Sequence, residues 1–128
     1  MTVTTDREVL TVLDDLYQAW ADHDADAFVS SFAADATSVL PGSYSVGPAA
    51  TRDRMAAVFA GPLKGSRTRD EVLGVRYLGD DAAIVNARTA VLLAGQTEVA
   101  DGAWVNATWT LARQDGRWLI AAYHNCPA

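Results

Sequence analysis

Cysteine and histidine are scarce in this chain of 128 residues, which contains one cysteine, Cys126, and two histidines, His23 and His124. One cysteine cannot form an internal disulfide, and the first ten residues lack the basic start and apolar block of a signal peptide. A reducing compartment fits this composition, and we predict a cytoplasmic protein. The histidines and the cysteine show no His-x-His or Cys-x-x-Cys spacing, so we predict no metal site.

Long apolar runs and excess positive charge are also absent. No apolar run approaches the roughly 20 residues that cross a bilayer. Acidic residues outnumber basic ones by 16 to 10, and the formal net charge of −6 repels nucleic acid and anionic lipid surfaces. We therefore predict neither nucleic acid nor membrane as a partner. The glycine-containing loop 61–65 lacks the spacing and the preceding strand of a dinucleotide fingerprint, so no cofactor is expected.

The first part of the sequence has helical periodicity. Thr5 and Glu8 form a capping box, which predicts that a helix begins at Thr5 and runs to about Ala21. Its apolar stripe comprises Val9, Leu13, Leu16 and Trp20, widened by Leu10, Val12 and Tyr17.

Two further helices are indicated by their ends. Asp24 can cap a short second helix, and Pro48 and Gly61 bracket a third. Between them, residues 36–40 and 44–46 are typical of two short strands.

The second half of the sequence predicts four long strands at residues 67–78, 82–93, 101–113 and 117–125. Tight turns at residues 79–81 and 115–116 join the outer pairs. We predict one α+β domain over residues 1–128, in the order α-α-β-β-α-β-β-β-β. Its three N-terminal-side helices would pack on a strongly curved, mixed or antiparallel sheet to form a cone-shaped barrel.

The two-residue loop at 115–116 predicts the register of the last hairpin, because loop length determines which residues face each other. The predicted pairs are Arg113 with Trp118, Leu111 with Ile120, Trp109 with Ala122, and Ala107 with His124. This apolar face would meet the helices, and His124 would point into the cone.

The opposite face of the sheet would carry Leu119, Tyr123 and Trp104. An apolar surface of this kind often marks a subunit interface, so we predict a homodimer formed through the sheet face.

Three segments carry a resemblance to a known superfamily: the helix corner 20–28, the segment 32–36 and the turn 115–118. In this element order they resemble the nuclear-transport-factor-2-like superfamily, which includes the SnoaL-type cyclases and the ketosteroid isomerases. The loop 61–67 together with residues 121–125 looks like the SgcJ/EcaC family, whose members occur with enediyne and other natural-product pathways. Leu16 and Leu40 fall where the steroid isomerases have their tyrosine and general-base aspartate, so that chemistry is not expected.

His124 is the candidate acid/base residue, because a histidine in an apolar cone can exchange a proton near neutral pH. A hydrogen-bonded core histidine is the alternative. Candidate ligand contacts are Tyr17, Trp20, Arg88, Trp109 and Trp118. The tryptophans could instead be core residues, and Arg88 could pair with Glu71 or Asp70.

Two functions are compatible with this pattern. In the first, the protein binds an apolar polyene or polyketide intermediate and catalyses a cofactor-free cyclisation or isomerisation. In the second, a non-catalytic module of the same pathway holds a reactive intermediate or docks to a partner enzyme.

Overall fold

The structure, a computed structural model, describes residues 3–128. The helices are α1 (Val3–Ala21), α2 (Ala25–Phe28) and α3 (Pro48–Ala60). The strands are β1 (Phe32–Leu40), β2 (Ser43–Val46), β3 (Arg67–Tyr77), β4 (Ala82–Leu92), β5 (Val105–Gln114) and β6 (Arg117–Pro127). No helix within residues 3–128 is both long and apolar enough to cross a membrane.

The six strands form one sheet in the order β2-β1-β6-β5-β4-β3. The β1–β6 pair is parallel and the other pairs are antiparallel. Helix α1 contacts β3 and β6, while α3 contacts β1 and β2. The predicted α+β class, the element order and the mixed sheet are confirmed.

Helix α1 buries Val9, Leu13, Leu16 and Ala19 against the sheet. This spacing of three and four residues is the apolar stripe that the sequence predicts. The helix begins at Val3, two residues before the predicted cap at Thr5, so that boundary is wrong. The two helical residues that precede Thr5 are Val3 and Thr4. Neither is a strong helix breaker such as glycine or proline, so the helix can start before the capping residue.

The corner between α1 and α2 is fixed by side chains. The Ala27 amide donates to Asp24 Oδ1 at 3.0 Å, which confirms the predicted cap. His23 has a left-handed backbone, with φ of 53°, and its Nε2 contacts the Ser66 carbonyl at 2.9 Å. Trp20 Nε1 donates to Ser66 Oγ at 3.0 Å. The corner is therefore tied to the start of β3.

A β-bulge in β6 changes the predicted register. Leu111 faces Ile120 as predicted, but Thr110 faces Ala122, so Ala121 is an extra residue. Trp109 consequently faces Tyr123, and the predicted pairing of Trp109 with Ala122 is wrong. From the bulge onward, side chains on β6 lie on the opposite face from the predicted one.

A second bulge lies in β3. Val72 faces Ala87 whereas Gly74 faces Asn86, so Leu73 is the extra residue there. This shift places Tyr77 on the helix side, where its hydroxyl donates to Asp6 and its ring packs edge-on against Trp118 at 6.3 Å.

Candidate functional site

A cavity of about 300 Å³ lies between helices α1 and α3 and the helix-facing side of the sheet. Most of its wall is aliphatic or aromatic. Its polar lining residues are Tyr17, Ser38, Thr51, Arg54, Thr89, Tyr123 and Asn125. An apolar cavity with a few polar groups is the usual form of a small-molecule site.

Strand register aligns one row of side chains across the cavity side of the sheet. Trp109 faces Tyr123 across β5 and β6, Tyr123 faces Ser38 across β6 and β1, and Ser38 faces Ser45 across β1 and β2. Directly opposed residues lie on the same face of a sheet. The Trp109 and Tyr123 rings pack against each other with centroids 4.1 Å apart and planes inclined by 40°, and Ser38 is almost fully buried.

Tyr17 brings a hydroxyl from helix α1 into this wall. Its oxygen lies 3.3 Å from Thr89 Oγ1, and its ring meets Trp109 edge-on at 6.2 Å. Burial raises the pKa of Tyr17, and the negative charge of Asp70 adds to the increase. The phenol therefore remains protonated at neutral pH and can act as a hydrogen-bond donor.

Asp70 lies behind this hydroxyl pair on β3, directly opposite Thr89. Thr68 Oγ1 donates to Asp70 Oδ2 at 2.7 Å, whereas the buried Oδ1 has no hydrogen-bond partner among the described residues. Burial raises the pKa of the Asp70 carboxyl, and the hydroxyls of Thr68, Thr89 and Tyr17 oppose that increase. Asp70 thus couples electrostatically to the site without lining the cavity.

Replacing Asp70 by asparagine should stabilise the protein at neutral pH. Because the folded-state pKa lies above that of the unfolded chain, about 3.9, the unfolded chain releases this proton first as pH rises. Stability is greatest below the unfolded pKa and falls as pH rises to the raised folded pKa. The gain should not exceed about 1 kcal/mol, since solvent screens a part-exposed carboxyl.

Melting temperatures measured from about pH 3 to pH 8 test this expectation. Asp70→Asn should melt above the wild type at pH 7, and the difference should shrink in acid. Glu98→Gln, which neutralises an exposed carboxylate in the connection between β4 and β5, is the control. A lower melting temperature for Asp70→Asn at pH 7 would show that the Asp70 charge stabilises the fold.

Tyr123 and Asn125 form the second polar group in the wall. Asn125 Nδ2 donates to the Tyr123 hydroxyl oxygen at 2.8 Å. Burial raises the pKa of Tyr123, and the bond from Asn125 opposes this. Because the oxygen accepts from Asn125, the phenolic proton of Tyr123 is free to bond an acceptor in the cavity.

One protein family matches almost the whole chain. The sequence profile of the SnoaL-like domain family matches residues 9–128. The chain belongs to the SnoaL-like domain family. The comparison with curated protein sequences finds no match.

Solved structures similar to this SnoaL-like domain share its fold at low sequence identity. A Nostoc punctiforme protein of unknown function with a cystatin-like fold has TM-score 0.92 and 21% identity, over 100% of this chain and 80% of that one. LinA has TM-score 0.83 and 15% identity, over 98% and 87%. A ketosteroid isomerase-like protein from Erwinia carotovora atroseptica has TM-score 0.75 and 19% identity, over 94% of each chain.

Three of the sequence-predicted ligand contacts line the cavity of this SnoaL-like domain, namely Tyr17, Trp20 and Trp109. Trp118 does not line it. Trp118 is 3% exposed and packs in the core, where its ring contacts Tyr77. The structure therefore places Trp118 outside this cavity, and its edge lines a shallow surface depression beside α1 instead.

Arg88 lies on the outer face of the sheet. Its guanidinium carbon is 3.9 Å from the centre of the Trp104 ring, and its Nε is 3.8 Å from Glu71 Oε2. The predicted pairing with Glu71 is confirmed. The predicted contact of Arg88 with a ligand in the cavity is wrong, because β4 alternates and its inward residues here are Ala87 and Thr89.

His124 is exposed and faces away from the cavity. It lies opposite Thr108 on β5 and Val39 on β1, which is 38% exposed. The predicted inward orientation is wrong because the extra residue Ala121 exchanges the two faces of β6. Tyr123 and Asn125 occupy the inward positions in its place.

Sequence reasoning missed Arg54, Asn125, Thr89 and Ser38. Only Arg54 had a usable signal. Thr51, Arg54, Met55 and Val58 follow the i, i+3, i+4, i+7 spacing of an inward helix face, and all four line the cavity.

Proposed function

We propose that this protein binds a largely apolar, conjugated small molecule, of the polyene or polyketide type, in the cavity between α1, α3 and the sheet. The observation that carries the proposal is the cavity itself, about 300 Å³ with an aromatic and aliphatic wall. Trp20 and Trp109 offer flat surfaces for a conjugated ligand, and the Tyr17 and Tyr123 hydroxyls can donate to its carbonyl oxygens.

Titration with N-phenyl-naphthylamine, a neutral dye that fluoresces in apolar sites, tests binding. Ala103 lines the cavity from the connection before β5, so Ala103→Trp should fill space there and weaken dye affinity by about tenfold or more. Ala100→Trp adds the same ring at an exposed position of the same connection and should leave affinity unchanged. Fluorescence that does not saturate, or equal affinity in both variants, would contradict the proposal.

A second candidate function is a cofactor-free proton-transfer step, such as an isomerisation or cyclisation. It is favoured by the Tyr17, Thr89 and Asp70 arrangement. The Tyr17 hydroxyl can donate to a ligand carbonyl oxygen as negative charge develops there. Asp70 lies opposite Thr89 on the neighbouring strand, and its charge acts on the Tyr17 hydroxyl. The described cavity wall carries no carboxylate or imidazole, which favours simple binding instead.

Tyr17→Phe separates the two candidates, because it removes the hydroxyl and keeps the ring. If proton transfer occurs, a producing strain with this variant should lose pathway product while the purified variant still binds the dye. Unchanged product would leave binding as the function.

The pathway and assembly are part of the proposal. The loop 61–67 and residues 121–125 resemble the SgcJ/EcaC family, which supports a place in enediyne or related antibiotic biosynthesis in the cytoplasm. The exposed or half-exposed residues Ile84, Trp104 and Leu119 support a homodimer through the outer sheet face. Light scattering that gives the mass of one chain at micromolar concentration would contradict the homodimer.

A further inference from the structure

Arg54 is a cation in the wall of an otherwise apolar cavity. It projects from α3 between Thr51 and Val58, which also line the cavity, and it is half-buried. Its hydrogen bond within the described chain goes from Nη1 to Ser45 Oγ at 3.5 Å, which is long. Desolvation lowers the pKa of Arg54, so its environment disfavours the charge it carries.

Arg52, two residues earlier on the same helix, shows what a structural arginine looks like in this protein. Its Nε lies 2.6 Å from Asp26 and its Nη1 lies 2.9 Å from Asp53, and it is exposed. Arg54 has no carboxylate within ion-pair distance among residues 3–128. Its hydrogen bond to Ser45 uses one of its five N–H donors, and the others are available to solvent or to a ligand.

Other donors converge on the same side of the cavity. Arg54 bonds Ser45, which lies two strands from Tyr123 in one row of the sheet. Burial raises the pKa of Tyr123, and the nearby charge of Arg54 makes a small contribution in the opposite direction. The Tyr123 proton is free because Asn125 occupies the oxygen as a donor. Ser38 and Ser45 lie in the same row of the sheet, between Tyr123 and Arg54.

We propose that Arg54, together with the Tyr123 hydroxyl, binds a carboxylate group on the otherwise apolar ligand. The inference rests on the proposed function, since it specifies the class of ligand held in the same cavity. A guanidinium matches a carboxylate with two parallel hydrogen bonds, and Tyr123 can supply a third. The ligand is then an apolar acid, oriented with its carboxylate toward α3 and its conjugated body toward Trp20 and Trp109.

The negative net charge of the protein makes anion binding depend on Arg54. At −6 the overall field repels an anion, so binding depends on the local cation. Removal of the Arg54 charge should therefore cancel the preference for an acid and leave the apolar contacts intact.

Displacement of N-phenyl-naphthylamine by naphthoate and by naphthamide tests the inference, because the two competitors share a ring system and differ in charge. The wild type should bind naphthoate at least about tenfold more tightly than naphthamide. Arg54→Gln should abolish that ratio and leave the naphthamide affinity within about twofold. Arg54→Lys should keep part of the ratio, and the control Arg52→Gln should keep all of it.

The possible outcomes test the carboxylate site at Arg54 separately from apolar ligand binding in the cavity. If the wild type binds the dye but shows no preference for naphthoate, or if the preference survives in Arg54→Gln, the carboxylate site is wrong and the apolar cavity stands. If the dye does not bind the wild type, both are wrong. The wild-type ratio needs no variant, so the inference is tested even if Arg54→Gln fails to fold.

Discussion

Replacing Tyr123 by alanine should lower the free energy of unfolding by about 2 to 4 kcal/mol, whereas His124→Ala should change it by less than about 0.5 kcal/mol. The two residues are neighbours on β6, but the bulge at Ala121 places them on opposite faces. The Tyr123 ring packs against Trp109 and its hydroxyl accepts a hydrogen bond from Asn125, so its removal leaves a void and an unpartnered amide. His124 is exposed.

Urea unfolding of both variants measures this difference, with the dye titration as a second readout. Tyr123→Phe keeps the ring and isolates the hydroxyl, and it should cost much less than Tyr123→Ala. If His124→Ala is the more destabilising change, β6 has the unbulged register and the polar wall of the cavity is assigned incorrectly.

Trp118→Ala should lower the free energy of unfolding by about 3 to 5 kcal/mol while dye affinity stays within about twofold at temperatures where the variant is folded. Trp118 is 3% exposed, contacts Tyr77 and Arg113, and lies outside the cavity wall. Trp109 is equally buried but lines the cavity, so Trp109→Ala should reduce both stability and dye affinity.

The comparison of the two tryptophans separates core packing from ligand contact. Thermal melts give the stability change, and the titration is performed well below each melting temperature. A dye affinity that falls as far in Trp118→Ala as in Trp109→Ala would mean that the cavity extends to Trp118.

Local signals in the sequence predict most of this fold correctly. Pro48 and Gly61 set the limits of α3, and Asp24 caps α2, because backbone geometry at helix ends depends on the nearest residues. Loop 115–116 gives the first pairs of the last hairpin, Arg113 with Trp118 and Leu111 with Ile120.

Local signals do not predict which face of the sheet the side chains of residues 122–127 in β6 occupy. An unbroken alternation from Ile120 puts Ala122 and His124 inside, and the small residues Ala121 and Ala122 fit either face. A bulge is selected by the packing of the whole sheet, which here buries the Tyr123 ring and leaves the imidazole in solvent. The same limit applies to Tyr77, beyond the bulge in β3.

The sequence predicts those cavity residues that lie on the apolar face of a long helix or strand. Tyr17 and Trp20 lie on the broad face of α1, and Trp109 lies on β5, which has no extra residue, so their placement follows from periodicity. The spacing of Arg54 with Thr51, Met55 and Val58 indicates an inward position, whereas its charge favours a position facing water, so the sequence alone does not decide between the two.

A crystal structure of the protein with N-phenyl-naphthylamine is the most direct test of the claim that the cavity binds an apolar ligand. The dye should lie between α1 and the sheet, in contact with Tyr17, Trp109 and Tyr123, with His124 facing solvent. Dye bound only to the outer sheet face, or a cavity filled by protein side chains with His124 pointing into it, would contradict both the site and its proposed function.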